Sequence, residues 1–393
     1  MPTGYWETEH LLRPVDFTVI GAGMVGMSTA LHLKRARPDL SVRLLERSPL
    51  SSGGTTRNAG FACFGSAGEW LDDLDAIGPH ALEALIRMRA EGLAELIGLL
   101  GAEAIGLQWT GGWELLSQSE EDARLHDKLT IELKTLQDLS GRSLNSALGG
   151  IHPLAGTGKG GERAAWLHWD EDQAKALGAA HAIHLPWEGM IHTGQMVSAF
   201  HRALDDAGVQ RLHGVEVKAL APSPTGWMLD TSAGGLESRQ AGLCTNGLAA
   251  HLVSGLEVRP VPNRVLVLRV APGALPVGTY HIDRGYLYMR TLDEHHVLFG
   301  GGRHWGYELP LPPERNVEME AQWDAALEQA ARRWVNVEAV THRWTGWLGV
   351  GPDRRPLIGE SQPGLHHAVR MGGMGVAIGT RVGRELAESM LRT

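Results

Sequence analysis

The spacing of apolar residues divides the chain into strand-like runs and helical stretches. Near the start, Phe17-Thr18-Val19-Ile20 is a short continuous apolar run, the mark of a strand buried on both faces. It breaks at Gly21-Ala22-Gly23-Met24-Val25-Gly26, and residues 27–34 continue as a helix. Val42-Arg43-Leu44-Leu45 then makes a second apolar strand ending on an acid, Glu46. Leu82, Leu85, Ile86, Met88 and Leu93 recur at helical spacing, as do Leu96, Ile97 and Leu100, and later Leu125, Leu129, Leu133 and Leu136. Residues 69–140 therefore read as helix around one short strand, Trp113-Glu114-Leu115-Leu116. A helix over 194–207, with Met196, Val197, Phe200 and Leu204 apolar, leads into a strand over 209–220. Alternation over 259–303 predicts strands at 265–268, 286–290 and 297–299. A strand over 356–359, a glycine turn and a helix through Arg384 and Leu391 close the chain.

The first of these units carries recognisable chemistry. Strand, glycine turn, helix and acid-tipped strand are the context in which G-x-G-x-x-G binds a dinucleotide. Gly21 permits the tight turn, Gly23 admits a pyrophosphate against the backbone, and Gly26 lets the helix pack on the sheet. The free N–H groups of the new helix, Met24 and Val25 first, face the phosphate charge. Glu46 lies twenty residues beyond Gly26, where an acid accepts the hydroxyls of an adenosine ribose and disfavours a 2′-phosphate. The turn alone fits NAD or FAD. A nicotinamide-binding half, however, runs on into another helix and strand. Here Arg47 opens a loop of small residues rich in donors, through Thr55, Thr56, Asn58, Ala59 and Gly60. Such a loop can reach a flavin's phosphates and the polar edge of its ring, and suits a cofactor lying extended.

Composition removes several classes. A length of 393 residues exceeds one typical core and predicts two domains. A formal charge of −9 offers no basic field for nucleic acid. No run approaches the roughly eighteen apolar residues of a membrane span. The first sixteen residues, with Glu7, Glu9 and Asp16, do not read as a secretory signal, and Tyr5-Trp6-Glu7 reads as an amphipathic lead-in packed outside the first domain. With only Cys63 and Cys244, neither a disulfide framework nor a cysteine-based zinc site is expected, and the cytoplasm is the default compartment. Fifty-one glycines fit a backbone that passes close to a large cofactor.

Glu46-Arg47, the loop Gly53-Gly54-Thr55-Thr56-Arg57-Asn58-Ala59-Gly60 and the later Gly372-Gly373-Met374-Gly375 resemble FAD-dependent oxidoreductases of the D-amino-acid oxidase superfamily. Glycine oxidase, monomeric sarcosine oxidase and the D-amino-acid dehydrogenases belong to it. The resemblance runs in order over nearly the whole chain. It implies an α/β fold with a Rossmann-like FAD-binding domain from residues 1–78, 150–252 and 344–393. An α+β substrate domain with an antiparallel sheet would come from 79–149 and 253–343, with the glycine-rich stretch 149–161 crossing between them. It also implies that Val217, or else Val215, offers its backbone to the adenine, and that a strand closing in Thr245-Asn246-Gly247 ends near the FAD. Backbone N–H groups at Gly372, Gly373, Met374 and Gly375 would face the flavin N1–C2=O edge, where charge develops on reduction.

For the substrate, a period of two along 286–290 puts Tyr286, Tyr288 and Arg290 on one face, two phenols beside a guanidinium suited to a carboxylate. Pairing of Arg290 with an acid on the sheet is the alternative. Arg303 and His304 are candidates for the same work, and His304 and Tyr288 for tuning the protonation of an amine. Trp344-Thr345-Gly346 through Gly351-Pro352 resembles the family's W-x-G loop; in glycine oxidase-like members an Arg precedes its Pro, and here that place is Gly351. The flavin-bonding Cys of sarcosine oxidase-like members is missing from the same loop, so Cys63 is read as structural, the FAD as non-covalent, and no metal is expected. The expected reaction is oxidation of the C–N bond of an amine or amino acid by hydride transfer to flavin N5. The imine is then hydrolysed, with oxygen or another electron acceptor restoring the flavin. A 2-hydroxy acid substrate, an NAD-dependent dehydrogenase and a non-enzymatic flavin-binding protein remain alternatives.

Overall fold

The computed structural model describes residues 4–153, 167–312 and 314–392. The uninterrupted apolar runs become parallel strands covered on both faces. β1 (Val15–Ile20) pairs with β2 (Val42–Glu46) on one side, Phe17 opposite Val42, and with β11 (Gly234–Leu243) on the other, Val19 opposite Gly242. Outward from β2 lies β8 (Gln210–His213); outward from β11 lie β18 (Leu365–Val369) and β17 (Leu357–Gln362). The hairpin of β9 (Val217–Ser223) and β10 (Gly226–Thr231) extends β11. One face of this sheet packs on α1 (Met24–Ala36), α5 (Thr193–Asp206) and α7 (Gly375–Arg392), joined by α2 (Ala67–Leu100) and α3 (Glu120–Leu148) in a single core. α2 bends at Gly78, whose φ of +79° precedes Pro79.

The second sheet runs in the order β16 (Ala339–Val350), β12 (Arg259–Arg269), β15 (His296–Gly301), β14 (Leu287–Asp293), β13 (Thr279–Ile282), β4 (Gly112–Leu116), β6 (His181–Leu185), β5 (His168–Trp169). Its alternation sorts residues cleanly. Leu115, Leu266, Leu268, Tyr280, Ile282, Leu287, Met289, Val297 and Phe299 turn outward to the core made with α4 (Glu171–Leu177) and α6 (Val317–Ala331). Their neighbours Val265, Gly300, Tyr288, His281 and Glu114 stand side by side across five strands on the other face. That face covers the segment following β2: Trp344 Nε1 donates to Arg57 O at 3.1 Å, and Phe61 meets both Tyr288 and His281 edge-on. The small pair β3 (Phe61–Ala62) and β7 (Gly189–Met190) holds the segment in place.

Several expectations change. The strand expected over 209–220 is two: Gly214, at φ +77°, turns the chain out of parallel β8 into antiparallel β9. Tyr286 stands before β14, in a turn whose residues Asp283, Arg284 and Gly285 all have positive φ. The expected domain boundaries do not follow the sheets. β5 and β6 pair with β4, and β16 carries residues up to Val350 into the second sheet, while α2 and α3 share the core of the first. Tyr5 and Trp6 are exposed; the lead-in is held through its backbone, with Arg43 Nη2 donating to Leu11 O and Arg13 O. Most of the glycine-rich stretch 149–161 lies outside the described residues. Among those described, no helix is long and apolar enough to cross a membrane.

Candidate active site

The glycine turn after β1 forms a cradle of backbone donors. Gly21 has φ +101°, and Gly23 stands as the N-cap of α1 with no side chain of its own to cap the helix. Ala22 N donates to Glu46 Oε2 at 3.1 Å and Met24 N to Thr55 Oγ1 at 2.9 Å, so the acid and the following loop both close on the turn. Glu46 Oε1 accepts from Ser48 N, and Val215 N donates to Glu46 O, which brings the end of β8 beside the acid; Val217 follows as the first residue of β9. Arg47 is exposed. Beyond the turn, the Asn246 side chain, on a backbone of φ +48°, accepts from Arg370 N and Met371 N and so joins the end of β11 to the loop before α7. Gly372 and Gly373 take φ of +60° and +93°, and a Cβ on either would meet nothing closer than 3.9 Å.

Opposite this cradle, the inner face of the second sheet carries buried charge. Glu114 accepts from Ser66 Oγ and Gly68 N, and burial pushes its pKa up to about 7. Glu188 lies 2.9 Å from His281 Nε2 and accepts from Thr279 Oγ1 at 3.0 Å. Glu69 is desolvated, yet the cations Arg89, at 2.9 Å, and Arg354, at 2.7 Å, hold its carboxyl below the usual range. Cys63 Sγ approaches Glu188 and His281, which are joined to each other by a hydrogen bond.

A family model described as FAD dependent oxidoreductase (DAO) matches residues 16–389. The chain belongs to that family. It is 24% identical over 391 residues to a protein named probable oxidoreductase OrdL from Rhizobium meliloti (strain 1021), covering 96% of this chain and 83% of that protein. It is 24% identical over 360 residues to glycine oxidase from Geobacillus kaustophilus (strain HTA426), covering 88% and 84%. Among solved structures, glycine oxidase from Geobacillus kaustophilus shares the fold at a TM-score of 0.66 and 20% identity, over 97% of this chain and 95% of that one. L-proline dehydrogenase from P. horikoshii does so at 0.67 and 17%, over 97% and 94%. Iminodiacetate oxidase from Chelativorans sp. BNC1 gives 0.63 and 22%, over 96% and 95%.

The residues present fit the FAD of this oxidoreductase. Thr245 Oγ1, beside Gly21, and Asn263 Oδ1, on the inner sheet face, are buried polar atoms without partners among the described residues, a costly arrangement unless a ligand completes it. Before α7 a Cβ on Gly372 or Gly373 would meet nothing closer than 3.9 Å, and at the start of α1 Gly23 has only Thr55 Oγ1, 3.2 Å from where its Cβ would stand.

Not every expected ligand group is free. Thr56 Oγ1 donates to Ser51 O, and Asn58 bonds Gly54 O, Thr55 O and Gly60 N, so these two side chains shape their own loop. Arg290 is corrected from a carboxylate grip to a structural pin. Its Nε donates to Thr291 O, and its Nη1 to the carbonyls of Ala59, Gly60 and Ile191, because a buried guanidinium must be satisfied locally. His304 pairs with Asp283 at 2.9 Å. Tyr288 Oη accepts from Asn263 Nδ2 at 2.6 Å, and burial raises its pKa, so the phenol stays neutral. Sequence reasoning missed Glu188, His281 and Arg354, whose only signals were their charge.

Proposed function

We propose that this FAD-dependent oxidoreductase oxidises the C–N bond of an amine or amino acid that also carries a carboxylate. The observation behind this is a census of cations around the cleft. Arg57, Arg89, Arg290, Arg354 and Arg370 are committed to acids or carbonyls, whereas Arg303, among the described residues, has only the Tyr286 ring, 4.6 Å from its Cζ. An aromatic face keeps a guanidinium planar and leaves its donors for a bidentate carboxylate. Arg303 would thus do the work that Gly351 cannot. The relatives named as glycine oxidase and iminodiacetate oxidase support a substrate of this kind.

FAD, when bound, supplies the oxidant by accepting a hydride at its ring nitrogen N5. The chain does the rest. Arg303 grips the carboxylate beside Tyr286; Tyr288 and Asn263 line the roof; and Arg290 fixes the Ala59–Gly60 floor. The N–H groups of Gly373 and Gly375 would hold the polar edge of the flavin, whose charge they stabilise; those of Gly372 and Met374 already donate to Gly349 O and Met371 O. Burial keeps the Cys63 and Cys244 thiols protonated, in line with non-covalent FAD. Water hydrolyses the released imine, and oxygen or another acceptor completes the cycle. The test is a spectral titration of the yellow enzyme with acetate and benzoate. Arg303→Met should weaken their binding at least about tenfold, the loss of one charge-assisted contact; unchanged affinity removes the grip from Arg303.

A further inference from the structure

The buried pair Glu188 and His281 has no role in the reaction as written above. Glu188, in the turn between β6 and β7, is 1% exposed, and its two oxygens lie 3.0 and 2.9 Å from His281 Nε2. Nε2 is therefore the nitrogen that donates, and in the neutral ring the lone pair is on Nδ1. Nδ1 makes no hydrogen bond among the described residues. It faces the turn that carries Tyr286, 3.7 Å from where a Cβ on Gly285 would stand. On β13 the ring stands directly opposite Tyr288, on the inner face, and packs edge-on to Phe61 at 5.3 Å, one residue beyond the Gly60 floor.

We propose that His281, oriented by Glu188, is the base that removes the proton from the substrate's ammonium group; the inference rests on the C–N oxidation proposed above. One N–H bond of the ammonium breaks and its proton passes to Nδ1. The electron pair left on nitrogen becomes the second bond of C=N as a hydride leaves the adjacent carbon for the cofactor. Ammonium thus becomes iminium with one proton on His281 and two electrons and one hydrogen carried off as hydride. Arg303 and His281 hold the two ends of an amino acid, one the carboxylate and the other the nitrogen.

The groups facing His281 are Glu188, Glu114 from β4, Glu69 from α2, Cys63 after β3 and Tyr288 from β14; the nearby cations Arg89 and Arg354 are taken up by Glu69. Burial by itself depresses the histidine pKa. Glu188, by charge and hydrogen bond, then Glu114 and Glu69, outweigh that and hold it above the ordinary value, toward the range a base at neutral pH needs.

The experiment uses FAD-loaded enzyme labelled with [15N]histidine, the His281 signals being assigned by their loss in His281→Asn. The neutral ring should carry its proton on Nε2, and Glu188→Gln should lower the His281 pKa by about one unit or more. In anaerobic mixing with glycine, sarcosine, iminodiacetate and L-proline, His281→Asn should slow flavin reduction about 10²-fold at pH 7. Most of that loss should return above the amine's own pKa, where the substrate arrives neutral. Glu188→Gln, of the same shape, should move the acidic limb of the profile to lower pH, and it keeps the test open where His281→Asn folds poorly. A neutral ring protonated on Nδ1, or a pKa indifferent to Glu188→Gln, overturns the proposal whether or not any amine reacts. Reduction by one amine with the same pH profile in both variants overturns it and leaves C–N oxidation standing. No reduction by any of the four counts against C–N oxidation itself, and the proposal falls with it.

Discussion

Alanine at Gly23 and at Gly26 should separate cofactor space from protein packing within one short turn. A Cβ on Gly26 would fall 1.9 Å from Gly21 O and 3.3 Å from Val19 Cγ1. Neither the carbonyl nor the strand behind it can yield cheaply, so α1 must slide along β1. Overpacking of this kind costs about 1–3 kcal/mol, and a backbone clash belongs at the upper end. Gly23 differs. Its φ of −77° and ψ of 179° suit any residue, and a Cβ there meets only Thr55 Oγ1, at 3.2 Å. Gly23→Ala should leave the apoprotein within about 0.5 kcal/mol of wild type. It nevertheless fills the place where the pyrophosphate would rest on the backbone. Loss of one charge-assisted hydrogen bond, about 1.5–3 kcal/mol, weakens FAD roughly 10- to 150-fold. Urea midpoints of both apoproteins and FAD titrations followed by flavin fluorescence give the two quantities. Wild-type FAD affinity in Gly23→Ala would refute the placement of the phosphates; wild-type stability in apo Gly26→Ala would refute the packing argument.

Three further outcomes follow from the same structure. Thr245→Val removes a buried hydroxyl that lacks a partner among the described residues, so the apoprotein should be as stable as wild type or more so, while FAD binding weakens by about 1 kcal/mol, read from the same titration. Arg290→Met strands the Ala59 and Ile191 carbonyls, Gly60 O keeping the bond from Ile191 N, and should cost about 2–4 kcal/mol in a urea melt, whereas Arg303→Met should stay within about 0.5 kcal/mol; equal costs would contradict the two roles. Glu114 titrates at about 7 in the fold against 4.5 in the free residue, so the fold disfavours its charged form. That penalty is absent below pH 4.5, grows up to pH 7 and is complete above, at about 3 kcal/mol. Glu114→Gln should therefore gain stability on wild type as pH rises from 5 to 8, and a flat difference would count against the burial argument.

The fold of the glycine turn was legible because its logic is local: Gly21, Gly23, Gly26 and Glu46 act through neighbours in one βαβ unit. Period-two alternation likewise placed Tyr288 and Arg290 on one face of the second sheet, as observed. What Arg290 does there was not legible. The carbonyls it binds at Ala59 and Ile191 lie 231 and 99 residues away, and no pattern around 290 points to them. Glu188 and His281 are 93 residues apart, on segments with no motif of their own. Gly214 did carry a signal for the break between β8 and β9, since a glycine inside an apolar strand marks a turn. Sheet membership of β5, β6 and β16 depends on pairings made across the whole chain, which hydrophobic spacing cannot specify.

The central claim is that an amino compound, gripped by its carboxylate, gives up a hydride from the carbon bearing nitrogen. Anaerobic addition of amines, L- and D-amino acids, N-methyl amino acids and 2-hydroxy acids to the yellow enzyme tests it most directly. Bleaching by a carboxylate-bearing amine, with an aldehyde or keto product and the amine or ammonia freed by hydrolysis in equal amount to reduced flavin, is the predicted result. Bleaching by a hydroxy acid alone, or a flavin that stays oxidised against every compound, would contradict it.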